Sequence, residues 1–135
     1  MYEEIRIDMI VDIKPTESEL EILQVLWKKD HSTVREVHEE LAKNKDAGYT
    51  TTLKLMQIMH EKGLVERNTD AKTHLYKALI TREQAQKTAV DKIIATVFKG
   101  SASDLVIQAL GQHTTSKAEI NAIKKYLEQF DQPKK

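Results

Sequence analysis

The sequence predicts a mainly α-helical chain: three short helices and a β-hairpin, followed by a helical tail. Three observations predict it. Thr16 with Glu19, Thr33 with Glu36 and Ser116 with Glu119 are spaced as capping boxes, in which each side chain satisfies the other's free backbone N–H. Two β-prone runs around a polar turn follow Gly63. From Thr81 onward the apolar residues recur only at helical spacing.

Residues 5–13 come first and alternate, with Ile5, Ile7, Met9, Val11 and Ile13 apolar, although Ile10 breaks the pattern. They predict an N-terminal extension over residues 1–12 and the start of a short strand at Ile13. Pro15 and the Thr16 cap then open a first helix whose Leu20, Leu23, Leu26 and Trp27 share one face. Lys28-Lys29-Asp30 ends it. Thr33 opens a shorter helix with Val34, Val37 and Leu41 inward, and residues 44–48 form a loop.

The third helix is expected to begin at Thr50 or Thr51 and to stop at Gly63. Its inward residues are Thr52, Leu55, Met56 and Met59, which leaves Thr50, Thr51, Lys54 and Gln57 outward and Leu53 between the faces. Leu64–Arg67 and Thr73–Lys77 form the hairpin around residues 68–72. Three helices and a hairpin in this order make a winged helix-turn-helix over residues 13–80. Residues 81–135 form the helical tail: a long helix from Thr81 to Gly100, a short one from Ser101 to Gly111, and a last one from Ser116.

Charge and composition narrow the function. The 135 residues carry no net charge, yet residues 1–47 hold 7 basic and 12 acidic side chains, residues 48–80 hold 5 and 3, and residues 81–135 hold 9 and 6. A DNA-facing surface would therefore begin near Gly48. Cysteine is absent, which excludes disulfides and thiolate metal sites. No apolar run exceeds three residues and nothing resembles a signal peptide, so the expected location is the cytoplasm.

Catalysis has no support. The five histidines form no His-x-x-x-His pair, and His38-Glu39 and His60-Glu61 lack a second zinc ligand. Gly100-Ser101-Ala102-Ser103 is not a nucleophile elbow, and there is no glycine-rich phosphate loop. No metal and no cofactor are expected.

The outward face of the third helix fits a major groove. Thr50 and Thr51 are short, reach phosphates or base edges, and offer methyl groups to thymine, while the helix N-terminus favours phosphate. Gln57 can bond adenine through two hydrogen bonds, and Lys54 can reach guanine or phosphate. Lys72 at the hairpin turn, with Arg67 and His74 flanking it, would hold the DNA backbone without reading sequence. In the tail, Ile93, Ile94, Val97, Leu105, Leu110, Ile120, Ile123 and Leu127 make more apolar stripe than three short helices can cover, which predicts a two-fold dimer interface. The competing reading is a winged-helix protein-interaction module that binds no DNA, in keeping with the zero net charge.

The stretch Lys14-Pro-Thr-Glu-Ser-Glu-Leu-Glu-Ile-Leu-Gln-Val-Leu-Trp27 resembles the first helix of the BlaI/MecI penicillinase-repressor family. Thr33-Val-Arg-Glu-Val37 is similar to its second helix, residues 49–65 to its recognition helix and the strand after it, and His74-Leu-Tyr-Lys-Ala-Leu79 to its second wing strand. The likeness spans about residues 13–130. It implies a homodimeric repressor on inverted-repeat operators, controlling antibiotic-resistance or stress genes, with Thr50, Thr51, Lys54 and Gln57 on the DNA. It also implies a membrane sensor metallopeptidase as a partner that relieves repression. In relatives of that kind the tail is cut at an Asn-Phe bond, whereas this sequence contains no Asn-Phe pair and has Leu105-Val-Ile-Gln-Ala-Leu110 in the comparable stretch. The cysteine-rich tail of the copper-responsive branch is absent as well.

Overall fold

A computed structural model describes residues 14–70, 72–112 and 115–131. The extension and the strand start expected before Lys14 lie outside the described residues. The chain divides into two compact units, one closing at Lys92 and the other opening at Ile93.

The first unit is built on α1 (Glu17–Lys28), α2 (Val34–Ala42), α3 (Tyr49–Lys62), β1 (Val65–Asn68), β2 (Leu75–Ala78) and the first part of α4 (Arg82–Thr96). Both expected capping boxes form. Thr16 Oγ1 accepts from the Glu19 amide at 3.2 Å while the Thr16 amide donates to Glu19 Oε1 at 2.9 Å, and Thr33 and Glu36 repeat the exchange. Thr81 and Gln84 make a third box at the start of α4, with a glutamine in the acid's place.

Leu23 and Leu26 of α1 are buried as the helical stripe predicts, but Ile22 and Val25 are buried with them, and Leu20 and Trp27 only partly. The inward face of α1 is therefore wider than the predicted stripe. It meets Val34 and Val37 of α2, Met56 and Met59 of α3, and Leu64, Val65, Tyr76, Ile80 and Ala85 in one core. At roughly 1.5–3 kcal/mol for each fully buried large apolar side chain, this cluster is the main stabilising term of the unit.

The third helix begins at Tyr49, one residue before the expected start, because Gly48 already holds the extended backbone of an N-cap and its carbonyl accepts from the Thr52 amide at 3.1 Å. It ends as predicted at Gly63, whose φ of 83° is left-handed. That conformation lets the Gly63 and Leu64 amides turn back onto the His60 and Met59 carbonyls.

The hairpin pairs β1 and β2 antiparallel, with Val65 opposite Ala78 and Arg67 opposite Tyr76. Ser32 adds a single bridge to the free edge of β2: its amide donates to the Tyr76 carbonyl at 3.0 Å, and the Tyr76 amide donates back at 2.8 Å. Trp27 closes the unit by donating its indole N–H to the Ile80 carbonyl at 2.9 Å, with the Arg82 guanidinium 5.7 Å from the ring centre.

In the second unit, α4 ends at Thr96 rather than at Gly100. Val97 and Phe98 both donate to the Ile93 carbonyl, Gly100 donates to that of Ile94, and left-handed Lys99 and Gly100 turn the chain out. Helix α5 (Ala102–Gln112) then runs through Gly111 rather than stopping there, and α6 (Lys117–Glu128) follows the expected Ser116–Glu119 box. Ser101 Oγ accepts from the Asp104 amide at 3.2 Å at the start of α5. Among the described residues from Ile93 to Asp131, none is buried. No helix among the described residues is long and apolar enough to cross a membrane.

Candidate nucleic-acid interface

Thr52, Met56 and Met59 are buried, and residues two positions out of phase with them point away from the core. The opposite face of α3 carries Thr50, Lys54, Gln57 and Glu61, at spacings of four, three and four residues, and all four are exposed. The structure thus brings together three of the four expected recognition residues. Lys54 enters no ion pair among the described residues.

Thr51 is exposed too, but on the flank of the helix. It lines a small cavity of about 150 Å³ with Ser18 of α1, Leu41 of α2, and Lys45 and Asp46 of the loop between α2 and α3. It faces the first helix instead of sharing the outward row with Lys54 and Gln57.

The N-terminus of α3 differs from its neighbours. Helices α1, α2, α4, α5 and α6 each receive a hydroxyl from Thr16, Thr33, Thr81, Ser101 or Ser116. Gly48 offers α3 no side-chain cap. The first amides of α3, beside Thr50, are therefore left to solvent or to an anion, for which helix N-termini are suited.

On the hairpin, Lys72 and His74 are exposed. Arg67 is half-buried opposite Tyr76, and its Nε is buried without a hydrogen-bond partner. It borders a polar depression of about 370 Å³ that also takes in His31, Glu66, Asp70 and Lys77. The Asn68 side chain accepts from the Asp70 amide at 2.9 Å, which fixes the entry into the turn ahead of Lys72.

The tail residues expected at an interface are all solvent-facing to some degree. Ile93, Val97, Leu110 and Leu127 are exposed, and Ile94, Leu105, Ile120 and Ile123 are half-buried. Val97 is 66% exposed and Leu127 53%. Among the described residues no group of His, Asp and Glu side chains is arranged to hold a metal ion.

The family profile described as penicillinase repressor matches residues 15–129. The chain belongs to the penicillinase repressor family. Members of this family are transcriptional repressors and not enzymes, so the resemblance read from residues 14–79 holds. The methicillin resistance regulatory protein MecI of Staphylococcus aureus is 24% identical over 110 residues, covering 82% of this chain and 89% of its own length. The penicillinase repressor of Bacillus licheniformis is 22% identical over 120 residues, covering 89% and 94%. The solved DNA binding domain of the repressor BlaI aligns with a TM-score of 0.48 and 24% identity, over 56% of this chain and 89% of that one.

Sequence patterning overlooked two residues on α3. Glu61 completes the outer row, and counting four residues on from Gln57 would have found it. Tyr49, 43% exposed, is the first residue of the helix, one position ahead of the start that the spacing predicts.

Proposed function

We propose that the chain binds operator DNA as a homodimer on an inverted repeat and represses the genes beside it. One observation carries this reading: the exposed row Thr50, Lys54 and Gln57 on α3, at whose head the helix amides have no side-chain cap. Short hydroxyls at the helix start with a lysine and a glutamine one and two turns on match a helix that enters the major groove N-terminus first. Thr51, Arg67, Lys72 and His74 serve as backbone-holding residues around that row.

The dimer is supported by the second unit. The last turn of α4 and helices α5 and α6, in which no described residue from Ile93 onward is buried, cannot stabilise themselves as a monomer at about 25 cal/mol per Å² of apolar burial. A second copy supplies the missing apolar partner. Two recognition helices on a two-fold axis then call for half-sites centred a helical turn apart, or multiples of about 34–36 Å.

The names of the relatives connect them with penicillinase and with methicillin resistance, and we extend that to target genes of the same antibiotic-resistance or stress class. A membrane sensor metallopeptidase acting on this chain would cut at a bond other than Asn-Phe, since the sequence holds no such pair. Footprinting on the DNA upstream of the chain's own gene, at two salt concentrations, tests the core of the proposal. A protected inverted repeat that loosens with salt supports it. Binding that is weak, uniform along the DNA and without an inverted repeat speaks for the protein-interaction reading, which the zero net charge favours.

A further inference from the structure

Tyr49 and His38 form an aromatic contact outside the hydrophobic core. The two rings meet edge to face, 5.7 Å between centres and at 83°. His38 lies on α2 and Tyr49 is the first residue of α3, so the contact spans the helix-turn-helix pair beside the loop that joins the two helices. Edge-to-face geometry fixes the direction in which a ring points.

Both partners are unusual for structural residues. The Nδ1 atom of His38 is buried without a hydrogen-bond partner, an arrangement that costs stability. Tyr49 is 43% exposed, whereas Tyr76, the tyrosine that serves the core, is 1% exposed. No hydrogen bond among the described residues engages the Tyr49 hydroxyl. An aromatic ring held firmly from behind, with a free hydroxyl in front, sits one residue before Thr50 at the uncapped head of the recognition helix.

On the strength of the proposed function, we infer that Tyr49 is a DNA-contacting residue whose hydroxyl donates to a backbone phosphate at the groove edge. His38 is its positioning residue. The site lies at the flank of the Thr50, Lys54, Gln57 row, where phosphates run past a helix seated in the major groove. A neutral donor there adds affinity and fixes the register of the helix without adding charge.

The test uses the full chain and the duplex that the wild type enriches from a random-sequence library. Tyr49→Phe is expected to fold normally and to weaken binding about tenfold or more, because a hydrogen bond to a charged acceptor is lost in each protomer. The slope of log affinity against log salt stays as it was, since a hydroxyl releases no counterion. His38→Ala weakens binding too, His38→Phe restores it by supplying the ring, and the double variant His38→Ala with Tyr49→Ala is no weaker than Tyr49→Ala alone. Should His38→Ala not fold, His38→Val keeps the burial without the ring edge and carries the same comparison.

Wild-type affinity in Tyr49→Phe overturns the contact, and additive losses in the double variant overturn the positioning role. If the wild type enriches no duplex at all, the proposed function falls and takes this inference with it. Enrichment together with an indifferent Tyr49→Phe overturns the inference alone.

Discussion

The Lys62 ammonium lies 2.9 and 3.0 Å from the two carboxylate oxygens of Glu19, which joins the last residue of α3 to the first turn of α1. Glu19 is 2% exposed, and the same carboxylate accepts from the Thr16 amide. One side chain thus caps α1 and anchors the far end of α3. The orientation of the outward row on α3 depends on that anchor as well as on Met56 and Met59 beneath it.

Removing the anchor should be costly. Breaking a fully buried ion pair costs about 3–5 kcal/mol, and breaking an exposed one costs about 0–1 kcal/mol. Lys62 keeps 35% of its side chain exposed, so Glu19→Ala is expected to cost about 2–3 kcal/mol with the capping loss included. Urea unfolding measures it. The control is Lys87→Ala, which breaks a 2.6 Å pair with Asp91 in which both side chains are mostly exposed; it should leave the midpoint unchanged.

Much of this arrangement can be read in the residues, and the parts that cannot share a cause. Capping boxes, the Gly63 stop and the hairpin are local signals, written within a few positions of where they act. The Glu19–Lys62 pair joins residues 43 positions apart, and the Trp27 bond to the Ile80 carbonyl joins residues 53 apart. Neither leaves a periodic trace. Ser32 bridges Tyr76 through a single residue, too short for strand alternation to show. The exposed row Thr50, Lys54 and Gln57 was readable as a shared face because it is one face of one helix. The flank position of Thr51 was not, because it depends on where α1 and the loop after α2 come to rest.

The row on α3 makes a charge-specific prediction. Lys54→Ala should lower the magnitude of the salt slope of operator binding by about 0.9 for each Lys54 that engages a phosphate. Gln57→Ala should instead cost about 1–3 kcal/mol and relax the preference at one base pair, with the slope unchanged. Glu61 lies about 16 Å along the axis from Thr50, by the 1.5 Å rise per residue, and repels phosphate. Glu61→Gln should therefore tighten binding, most visibly at low salt. Fluorescence anisotropy across a salt series separates the three, and a Glu61→Gln variant that binds more weakly would overturn the orientation given to α3.

Two glycines should respond oppositely to alanine. Gly63 has a φ of 83° at the end of α3, where an L side chain costs roughly 1–2 kcal/mol. Gly111 lies inside α5, and a Cβ added there meets nothing within 4 Å. Gly63→Ala is expected to lower the unfolding temperature, and Gly111→Ala to raise it by removing about 0.5–1 kcal/mol of glycine's cost in a helix. A fall in both would mean that α5 ends at Gly111 after all.

The tail prediction tests assembly. Val97 and Leu127 of the second unit are large apolar residues that are each more than half exposed. Val97→Asp and Leu127→Asp each place a charge on the surface assigned to the second copy, and burying an unpaired charge is strongly unfavourable. Sedimentation should show monomers for either variant at concentrations where the wild type is dimeric. The winged-helix unit, whose core ends with Ala85, should keep its fold in both. A dimer that survives both changes would move the interface elsewhere.

The capping box of α2 gives a pH signature. The backbone amide of Thr33 donates to the Glu36 carboxylate, and this bond holds the carboxyl below the usual glutamate range, with a smaller contribution from the Thr33 hydroxyl and from Lys29. A depressed value in the folded state means that the unfolded chain binds the proton more tightly. The stabilisation is therefore complete above the ordinary glutamate value and is lost as pH falls through the lower folded value. Because Glu36 is exposed, water and salt keep the effect small. Carbon-detected NMR titration should place the Glu36 midpoint below that of a glutamate in an unstructured peptide. Replacing Glu36 by Gln keeps a side-chain acceptor for the amide while removing the titrating group, so Glu36→Gln should flatten the acid limb of stability without opening α2. An ordinary midpoint for Glu36 would mean that the box is open in solution and that α2 starts without it.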